Sequence, residues 1–225
     1  MNETRGTMID RYTKNGILEA ADQKKLARKI AVIGCGGLGG YLIEMLGRLG
    51  LRHINACDGD VFSVSNLNRQ LLATEDNLGK NKAKAAAIRM ETVNSEVSVR
   101  TFEEYLTPEN AARIFDGCDL VIDALDSPQA KCMLEELCEG FRLPLVHGAV
   151  EGWFGQVCTV MPGDWTLRSL YQNTNRGDQQ EAEKTGNPSF TPAAVAALQV
   201  SEALKVLLDK EGILRNEVLF LDLYC

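Results

Sequence analysis

The chain has 225 residues, 45% of them hydrophobic and 24% charged, a balance ordinary for a single globular domain with a packed core. Its formal net charge of −7 argues against binding to nucleic acid or an anionic membrane, because both are bound mainly through clustered cations. No apolar run approaches membrane-spanning length, and the polar N-terminus lacks the apolar segment of a secretory signal. We therefore expect a cytoplasmic protein that acts without nucleic acid and without a membrane.

Strands and helices alternate along the first two thirds of the chain. Residues 1–28 are predicted as an N-terminal segment that is helical from residue 17 onward. Predicted strands lie at 29–33, 53–57, 97–99, 120–124 and 145–149, and predicted helices lie at 38–49, 81–92, 108–115 and 128–141. This alternation requires crossover connections and gives a mostly parallel sheet with helices on both faces.

The pattern changes after residue 150. Residues 156–161 and 216–224 are predicted as strands, with a helix at 192–208 between them. Residues 163–190 are polar and are predicted as a flexible crossover loop. We expect one domain, 1–225, of the α/β class. It is Rossmann-like, with a mostly parallel sheet, helices on both faces and an antiparallel C-terminal extension.

A glycine-rich turn stands between the first strand and the next helix. The sequence GCGGLG at 34–39 lets a turn close tightly and brings backbone N–H groups and a helix N-terminus against a phosphate. Asp58 ends the next strand, where it is placed to accept hydrogen bonds from a ribose. These two features alone predict an NAD-binding Rossmann domain.

A second stretch favours nucleotidyl transfer instead. The sequence DGDVFSVSNLNRQ at 58–70 is followed by GKNK at 79–82, which leads into a helix. Arg69 and Lys82 supply cations, and Asn66 supplies a neutral donor. A nucleotidyl-transfer site needs them because charge builds up on the α-phosphate and on the departing pyrophosphate. A solvated surface loop explains any one of these residues, but it does not explain the whole string.

These residues resemble the MoeB/ThiF/HesA family, the bacterial relatives of ubiquitin-activating enzymes, and the resemblance covers nearly the whole chain. It implies a homodimer that binds ATP and Mg²⁺. It also implies adenylation of the C-terminal glycine carboxylate of a small ubiquitin-like sulfur-carrier protein ending in Gly-Gly. Cations would neutralise the triphosphate, so that the carboxylate can approach the α-phosphorus in line.

The resemblance also assigns residues. Arg69, Lys82 and Asp126 would be catalytic, with Asp126 holding Mg²⁺. The nucleotide-binding set is Gly34, Gly36, Gly37, Gly39, Asp58, Asp60, Ser65, Asn66, Gln70, Ser127, Arg11 and Lys14. The family's N-terminal arginine, which reaches the partner subunit's ATP, falls on Lys14. A lysine keeps the charge and loses the bidentate fork.

Several departures from the family pattern are informative. The two CxxC zinc pairs common in relatives are missing, so no structural zinc is expected, and His53 and His147 stand apart as structural histidines. Residues 163–192 contain no cysteine, which implies a separate sulfur donor. Ser127 and Lys131 stand where Asn and Arg are usual in the family.

Three alternatives stay open. A nucleotide-binding scaffold without turnover is opposed by the intact Arg69, Lys82 and Asp126. Adenylation of another carboxylate, on a peptide terminus or an RNA, is the second, and the acidic balance weighs against RNA. A dinucleotide oxidoreductase leaves Asn66 and the two cations unexplained. The carrier and the sulfur pathway, whether thiamine, molybdopterin, cysteine or another product, are open as well.

Overall fold

Seven strands form one mixed sheet in the computed structural model, which describes residues 11–16, 18–171 and 186–225. The strand order is β3-β2-β1-β4-β5-β6-β7. The strands are β1 (Lys29–Ile33), β2 (His53–Cys57), β3 (Ser98–Phe102), β4 (Leu120–Asp123), β5 (Leu145–Glu151), β6 (Phe154–Val160) and β7 (Leu219–Asp222). Strands β1 to β5 are parallel, and β6 and β7 are antiparallel. The predicted Rossmann-like fold class is confirmed.

Helices cover both faces of this sheet. They are α1 (Ala20–Lys25), α2 (Gly37–Leu49), α3 (Lys82–Val93), α4 (Pro108–Ile114), α5 (Pro128–Phe141), α6 (Thr166–Tyr171) and α7 (Phe190–Leu207). Alternate residues of β1 serve opposite layers, because successive strand side chains point to opposite faces. Ile30 and Val32 pack with α2, α3 and α7, whereas Ala31 and Ile33 pack with α4, α5 and α6.

Helix α7 crosses the first of these layers. Its 18 residues have a mean hydropathy of 1.2, so by length and composition it is long and apolar enough to cross a membrane, which the sequence analysis does not anticipate. It packs on α2 and on β4 to β6. Buried Gln199 donates to the Asp123 carbonyl at 2.8 Å, and buried Glu202 accepts from Thr159 Oγ1 at 2.9 Å. These contacts are those of a core helix.

Helix α6 lies within residues 163–190, which were predicted as a loop, so that part of the prediction is wrong. The backbone N–H groups of Leu167 and Arg168 donate to the Glu135 carboxylate of α5 at 2.6 and 2.8 Å. Such first-turn N–H groups have no partner inside a helix. The cap therefore comes from another helix, and the local sequence carries no trace of it. Residues 172–185 of the predicted loop lie outside the described residues, and residues 163–165 and 186–189 form neither helix nor strand.

Candidate active site

The glycine turn, residues 34–39, is built from backbone contacts that exclude side chains. Gly34 has a φ of 94°, and a Cβ on it would lie 2.5 Å from the carbonyl oxygen of Ala124, just after β4. A Cβ on Gly39 would lie 1.9 Å from the Gly34 carbonyl oxygen. Gly36 is the N-cap of α2, which begins at Gly37, so no capping side chain covers the first N–H groups of the helix. Such groups are available to an anion.

Asp58 connects this turn to the end of β2. Its Oδ2 accepts the Cys35 N–H at 2.7 Å, and its Oδ1 accepts the Asp60 N–H at 2.8 Å. Burial raises the pKa of Asp58, and the two backbone hydrogen bonds and the charge of Lys82 oppose that rise. Asp58 thus lies beside the turn, as the prediction of a ribose-binding residue requires.

Lys82 begins α3 and is 7% exposed. Its Nζ lies 3.0 Å from Oδ2 of Asp60, and the Tyr105 hydroxyl donates to the other oxygen of the same carboxylate. The hydrogen bond from Tyr105, followed by that from Lys82, lowers the pKa of Asp60 below its ordinary value. The buried cation is therefore balanced by a carboxylate that is itself held from both sides.

The loop after β2 carries the second cation. The Arg69 guanidinium donates to the Ser65 carbonyl at 3.0 Å and to Oδ1 of Asn68 at 2.9 Å. No carboxylate in the described part of the chain forms an ion pair with it, so its charge is available to a ligand. Asn66 is buried, and its Oδ1 accepts the Ser63 N–H at 3.0 Å, which closes the turn that carries Ser65.

Gln70 follows Arg69 and is buried against the glycine turn. Its amide lies 3.4–3.7 Å from the position of a Cβ built on Gly36. Its Oε1 is buried and has no hydrogen-bond partner among the described residues. An orphan acceptor of this kind costs free energy unless a ligand or a water satisfies it. A bound nucleotide that donates a hydrogen bond to Gln70 Oε1 would satisfy this acceptor.

Asp126 and Ser127 follow β4 at the same edge of the sheet. The Ser127 hydroxyl accepts the Ala130 N–H at 3.3 Å and caps α5. Asp126 is exposed, and no hydrogen bond or ion pair from the described residues reaches its carboxylate. The hydrogen bond to Asp60 is the largest cause that raises the pKa of Tyr105, and the charges of Asp58 and Asp126 add to it.

The residues present fit Mg²⁺ in one limited way. Mg²⁺ is bound through one or two carboxylates together with substrate phosphates and waters. Both oxygens of Asp126 are open for that purpose. Across the residues that the structure describes, no group of three or more His, Cys, Asp or Glu side chains could hold a metal ion by itself. Asp126 would hold Mg²⁺ only together with phosphate oxygens.

Arg11 and Lys14 do not join this site in their own chain. The Arg11 guanidinium donates to Oδ1 of Asn94, which follows α3. The Tyr12 ring packs on Gly50, at the C-terminal end of α2. Helix α2 runs about 20 Å from that end to the glycine turn. Lys14 is exposed in the turn after Tyr12. A nucleotide-binding role for either residue therefore needs a partner subunit.

A buried polar cluster lies beneath the site, and the sequence analysis missed it. Asp123 Oδ2 lies 3.1 Å from Lys131 Nζ and 2.7 Å from His147 Nδ1, and Lys131 Nζ also donates to the Gly148 carbonyl at 2.9 Å. All three side chains are buried. Asp123 and His147 are register partners on β4 and β5. The pairing of these residues is evident only once β4 and β5 are aligned, and neither segment predicts it alone.

The carboxyl edge of the parallel sheet carries an open helix N-terminus, a buried lysine and an arginine that forms no ion pair with the described residues. These features are typical of a nucleotide-binding α/β protein. The model of the ThiF family matches residues 10–224. The chain therefore belongs to the ThiF family, and it is an enzyme of the adenylyltransferase class.

Named relatives agree with this assignment. The chain is 32% identical over 221 residues to the SAMP-activating enzyme E1 of Haloferax volcanii, covering 96% of this chain and 82% of the relative. It is 33% identical over 211 residues to the sulfur carrier protein adenylyltransferase of Thermus thermophilus, covering 89% and 78%. It spans about half the length of the adenylyltransferase and sulfurtransferase MOCS3 relatives that it matches.

A solved structure of a protein that binds a nucleotide is also similar. The Escherichia coli tRNA N6-threonylcarbamoyladenosine dehydratase, in complex with AMP, superimposes with a TM-score of 0.74 and 26% sequence identity. The match covers 93% of this chain and 98% of that chain. The likeness therefore extends over nearly the whole fold.

Proposed function

We propose that this chain uses ATP and Mg²⁺ to adenylate the C-terminal glycine carboxylate of a ubiquitin-like sulfur-carrier protein. The observation that carries the proposal is the placement of two cations, Lys82 and Arg69, at the sheet edge that holds the open N-terminus of α2. The names of the Haloferax and Thermus relatives support a carrier protein as substrate.

The geometry supports the following roles. The open N–H groups at the N-terminus of α2 bind phosphate, and Asp58 accepts from the ribose hydroxyls. Arg69 and Lys82 balance the charge that builds up on the α-phosphate and on the leaving pyrophosphate. Mg²⁺ at Asp126 would supply further charge neutralisation. The attacking carboxylate needs no general base, because a C-terminal carboxyl group has a pKa near 3.5 and is already ionised.

The carboxylate oxygen attacks the α-phosphorus, and the bond from that phosphorus to the bridging oxygen of the pyrophosphate breaks. The products are the carrier acyl-adenylate and pyrophosphate. This reaction requires cations such as Lys82 and Arg69, whereas hydride transfer by a dinucleotide oxidoreductase does not. Preferential binding of NAD over ATP would restore the oxidoreductase interpretation.

One observation favours a second candidate substrate. The similar Escherichia coli structure is that of a tRNA N6-threonylcarbamoyladenosine dehydratase. A carboxylate on an RNA would use the same adenylation chemistry. The net charge of −7 opposes it, because RNA is bound through cations. We therefore place the carrier protein first.

The deciding experiment is magnesium-dependent exchange of labelled pyrophosphate into ATP, catalysed by the purified full chain. One arm adds small proteins that end in Gly-Gly, each matched with a form that lacks the terminal glycine. A second arm adds total tRNA. Exchange only with an intact carrier supports the proposal, and exchange only with tRNA selects the second candidate. ATP binding without exchange in any arm leads to the scaffold interpretation.

Two further proposals concern the setting of the reaction. We propose a homodimer, as the family resemblance implies. Arg11 lies beside Asn94, and the neighbouring Tyr12 lies at the C-terminal end of α2, so these N-terminal residues would reach a nucleotide only across a subunit interface. We propose a cytoplasmic location, which is supported by seven cysteines that are all free thiols.

A further inference from the structure

Tyr105 stands in the loop between β3 and α4, outside the sequence motifs that form the candidate site. The side chain is 65% exposed, which is unusual for a tyrosine with a defined position. Its hydroxyl nevertheless donates to Oδ1 of Asp60, on the neighbouring loop after β2. An exposed tyrosine whose hydroxyl donates to a carboxylate of the site is placed to act on that site.

The backbone around Tyr105 is fixed from both sides. The Asn110 side-chain amide donates to the Tyr105 carbonyl at 2.8 Å. Cys57 Sγ, at the end of β2, donates to the carbonyl of Glu104 at 3.2 Å. The next residue, Leu106, is buried in the core. The ring is thus exposed while the backbone that carries it is anchored to β2 and α4.

The ring of Tyr105 lies against Gly59, which separates Asp58 from Asp60. A Cβ on Gly59 would lie 2.8 Å from ring atom Cδ2 and 2.9 Å from Cγ and Cε2. Only a residue without a side chain leaves room for the ring in this position. The ring therefore covers the backbone between the two carboxylates and borders the proposed ribose site.

The two oxygens of Asp60 have separate partners. Oδ1 accepts from the Tyr105 hydroxyl, and Oδ2 accepts from Lys82 Nζ at 3.0 Å. The Asp60 side chain is itself half exposed, so few packing contacts hold its carboxylate. If the hydroxyl is lost, the carboxylate gains rotational freedom, and the ammonium group that it anchors gains freedom with it.

We propose that Tyr105 is a positioning residue for adenylyl transfer, acting through Asp60 to hold the ammonium group of Lys82 and forming one wall of the ribose site with its ring. The inference rests on the proposed function, which gives Lys82 its place in the transfer of the adenylyl group. The hydroxyl acts on the rate of transfer, and the ring acts on the binding of ATP.

The test measures kcat and the KM for ATP in pyrophosphate exchange, with the full chain and saturating carrier. Tyr105→Phe keeps the ring and removes the hydroxyl, so kcat is expected to fall about five- to tenfold with KM nearly unchanged. Tyr105→Ala is expected to lose kcat and also to raise KM. Tyr224→Phe is the matched control, because it removes a hydroxyl that forms no hydrogen bond with the described residues from a tyrosine that is also exposed.

Gly59→Ala supplies an independent arm, since its new methyl group must displace the ring. Adding Tyr105→Phe to Gly59→Ala is expected to lower kcat less than it does alone, because both changes break the same hydrogen bond. If Tyr105→Phe and Tyr224→Phe have equal kcat in an active protein, or if the two changes combine additively, the inference is overturned while the proposed function stands. Absence of exchange in the unmodified protein overturns both.

Discussion

The two cations of the site differ in what balances them. Lys82 is buried and paired with Asp60 at 3.0 Å. Within the described part of the chain, Arg69 donates to a carbonyl and an amide oxygen of its own loop and forms no ion pair. A lysine with an internal counter-ion contributes to folding as well as to binding, because an unpaired buried charge is costly. An arginine held by neutral acceptors contributes mainly to ligand binding and little to folding stability. Their substitutions should therefore separate stability from activity.

Arg69→Ala is expected to lower pyrophosphate exchange about 10²-fold or more, because one preorganised charge on the transition state is lost. Asp126→Ala is expected to have an effect of similar size. Neither change should alter the melting temperature, since neither side chain belongs to the core. Arg48→Ala, at the opposite end of α2, is the control. Full turnover in both variants would show that the phosphate and magnesium assignments are wrong.

The cluster of Asp123, Lys131 and His147 makes stability depend on pH. Burial lowers the pKa of His147 below its ordinary 6.5, although the hydrogen bond to Asp123 opposes this effect. Below pH 6.5 the unfolded chain therefore binds a proton that the folded chain does not. Stability contributed by the neutral histidine is present above the ordinary pKa and is lost as the pH falls towards the lowered one.

Replacing His147 by Asn should flatten this dependence. Asn keeps a donor near the position of Nδ1 but does not titrate. The unmodified protein is expected to lose stability between about pH 7 and pH 5, and His147→Asn is expected to start lower and change less. Melting temperatures across this range check the prediction, with His53→Asn as an exposed control. Parallel curves for the unmodified and His147→Asn proteins would contradict it.

Among the elements, α3 has a special role because its cap also shapes the site. Asn81 Oδ1 accepts the Lys84 N–H at 3.0 Å. Its Nδ2 donates to the carbonyl of Asp58 at 2.8 Å and to that of Asp60 at 3.2 Å. One side chain therefore begins the helix that carries Lys82 and also holds the loop that carries both carboxylates.

Two substitutions at Asn81 separate these tasks. Asn81→Ala removes the cap and both loop contacts, and it is expected to cost about 1–2 kcal/mol of stability and much of the exchange activity. Asn81→Asp keeps an acceptor for the cap and loses both donors, so it should be less destabilised yet similarly inactive. Chemical denaturation and exchange assays on the same preparations decide. Normal activity in Asn81→Asp would show that the loop contacts are dispensable.

Elements whose signals are local could be predicted from the sequence. The predicted bounds of β1 and β2 match those of the structure, because each is a short segment rich in apolar residues that is followed directly by a glycine or an aspartate. Helix α6 could not be predicted, because its N-terminus is capped by Glu135 of another helix. The cluster around Asp123 was missed for a related reason: its members meet only through the register of β4 and β5.

The candidate site divides in the same way. Glycines, Asp58 and the cations are close together in sequence, and their arrangement at one sheet edge follows from the fold class. Tyr105 belongs to no motif and reaches Asp60 across a loop, so its contact appears only in three dimensions. The position of Arg11 and Lys14, away from the site of their own chain, could also be seen only in the structure.

At the scale of the whole molecule, the proposed homodimer predicts that residues of two subunits form one site. If Lys14 serves the site of the partner subunit, Lys14→Ala and Arg69→Ala damage the same site from different subunits. Mixing the two inactive variants under subunit exchange should then restore about a quarter of full activity, through mixed C2 dimers with one intact site. Each variant alone is the control. No recovery in mixtures that are shown to exchange subunits would contradict a shared site.

The backbone contacts of the glycine turn affect how fast its amides exchange and how fast a ligand is bound. The Gly34 N–H donates to the Cys57 carbonyl at 2.8 Å, and the Cys35 N–H donates to Asp58 at 2.7 Å, so the turn is linked to β2 as a strand would be. The amides of Gly34 and Cys35 should exchange with deuterated solvent as slowly as those of the central strands, because their hydrogen bonds open only when the sheet does. The turn is therefore already ordered before a ligand binds, and the association rate is not limited by a conformational change of the turn.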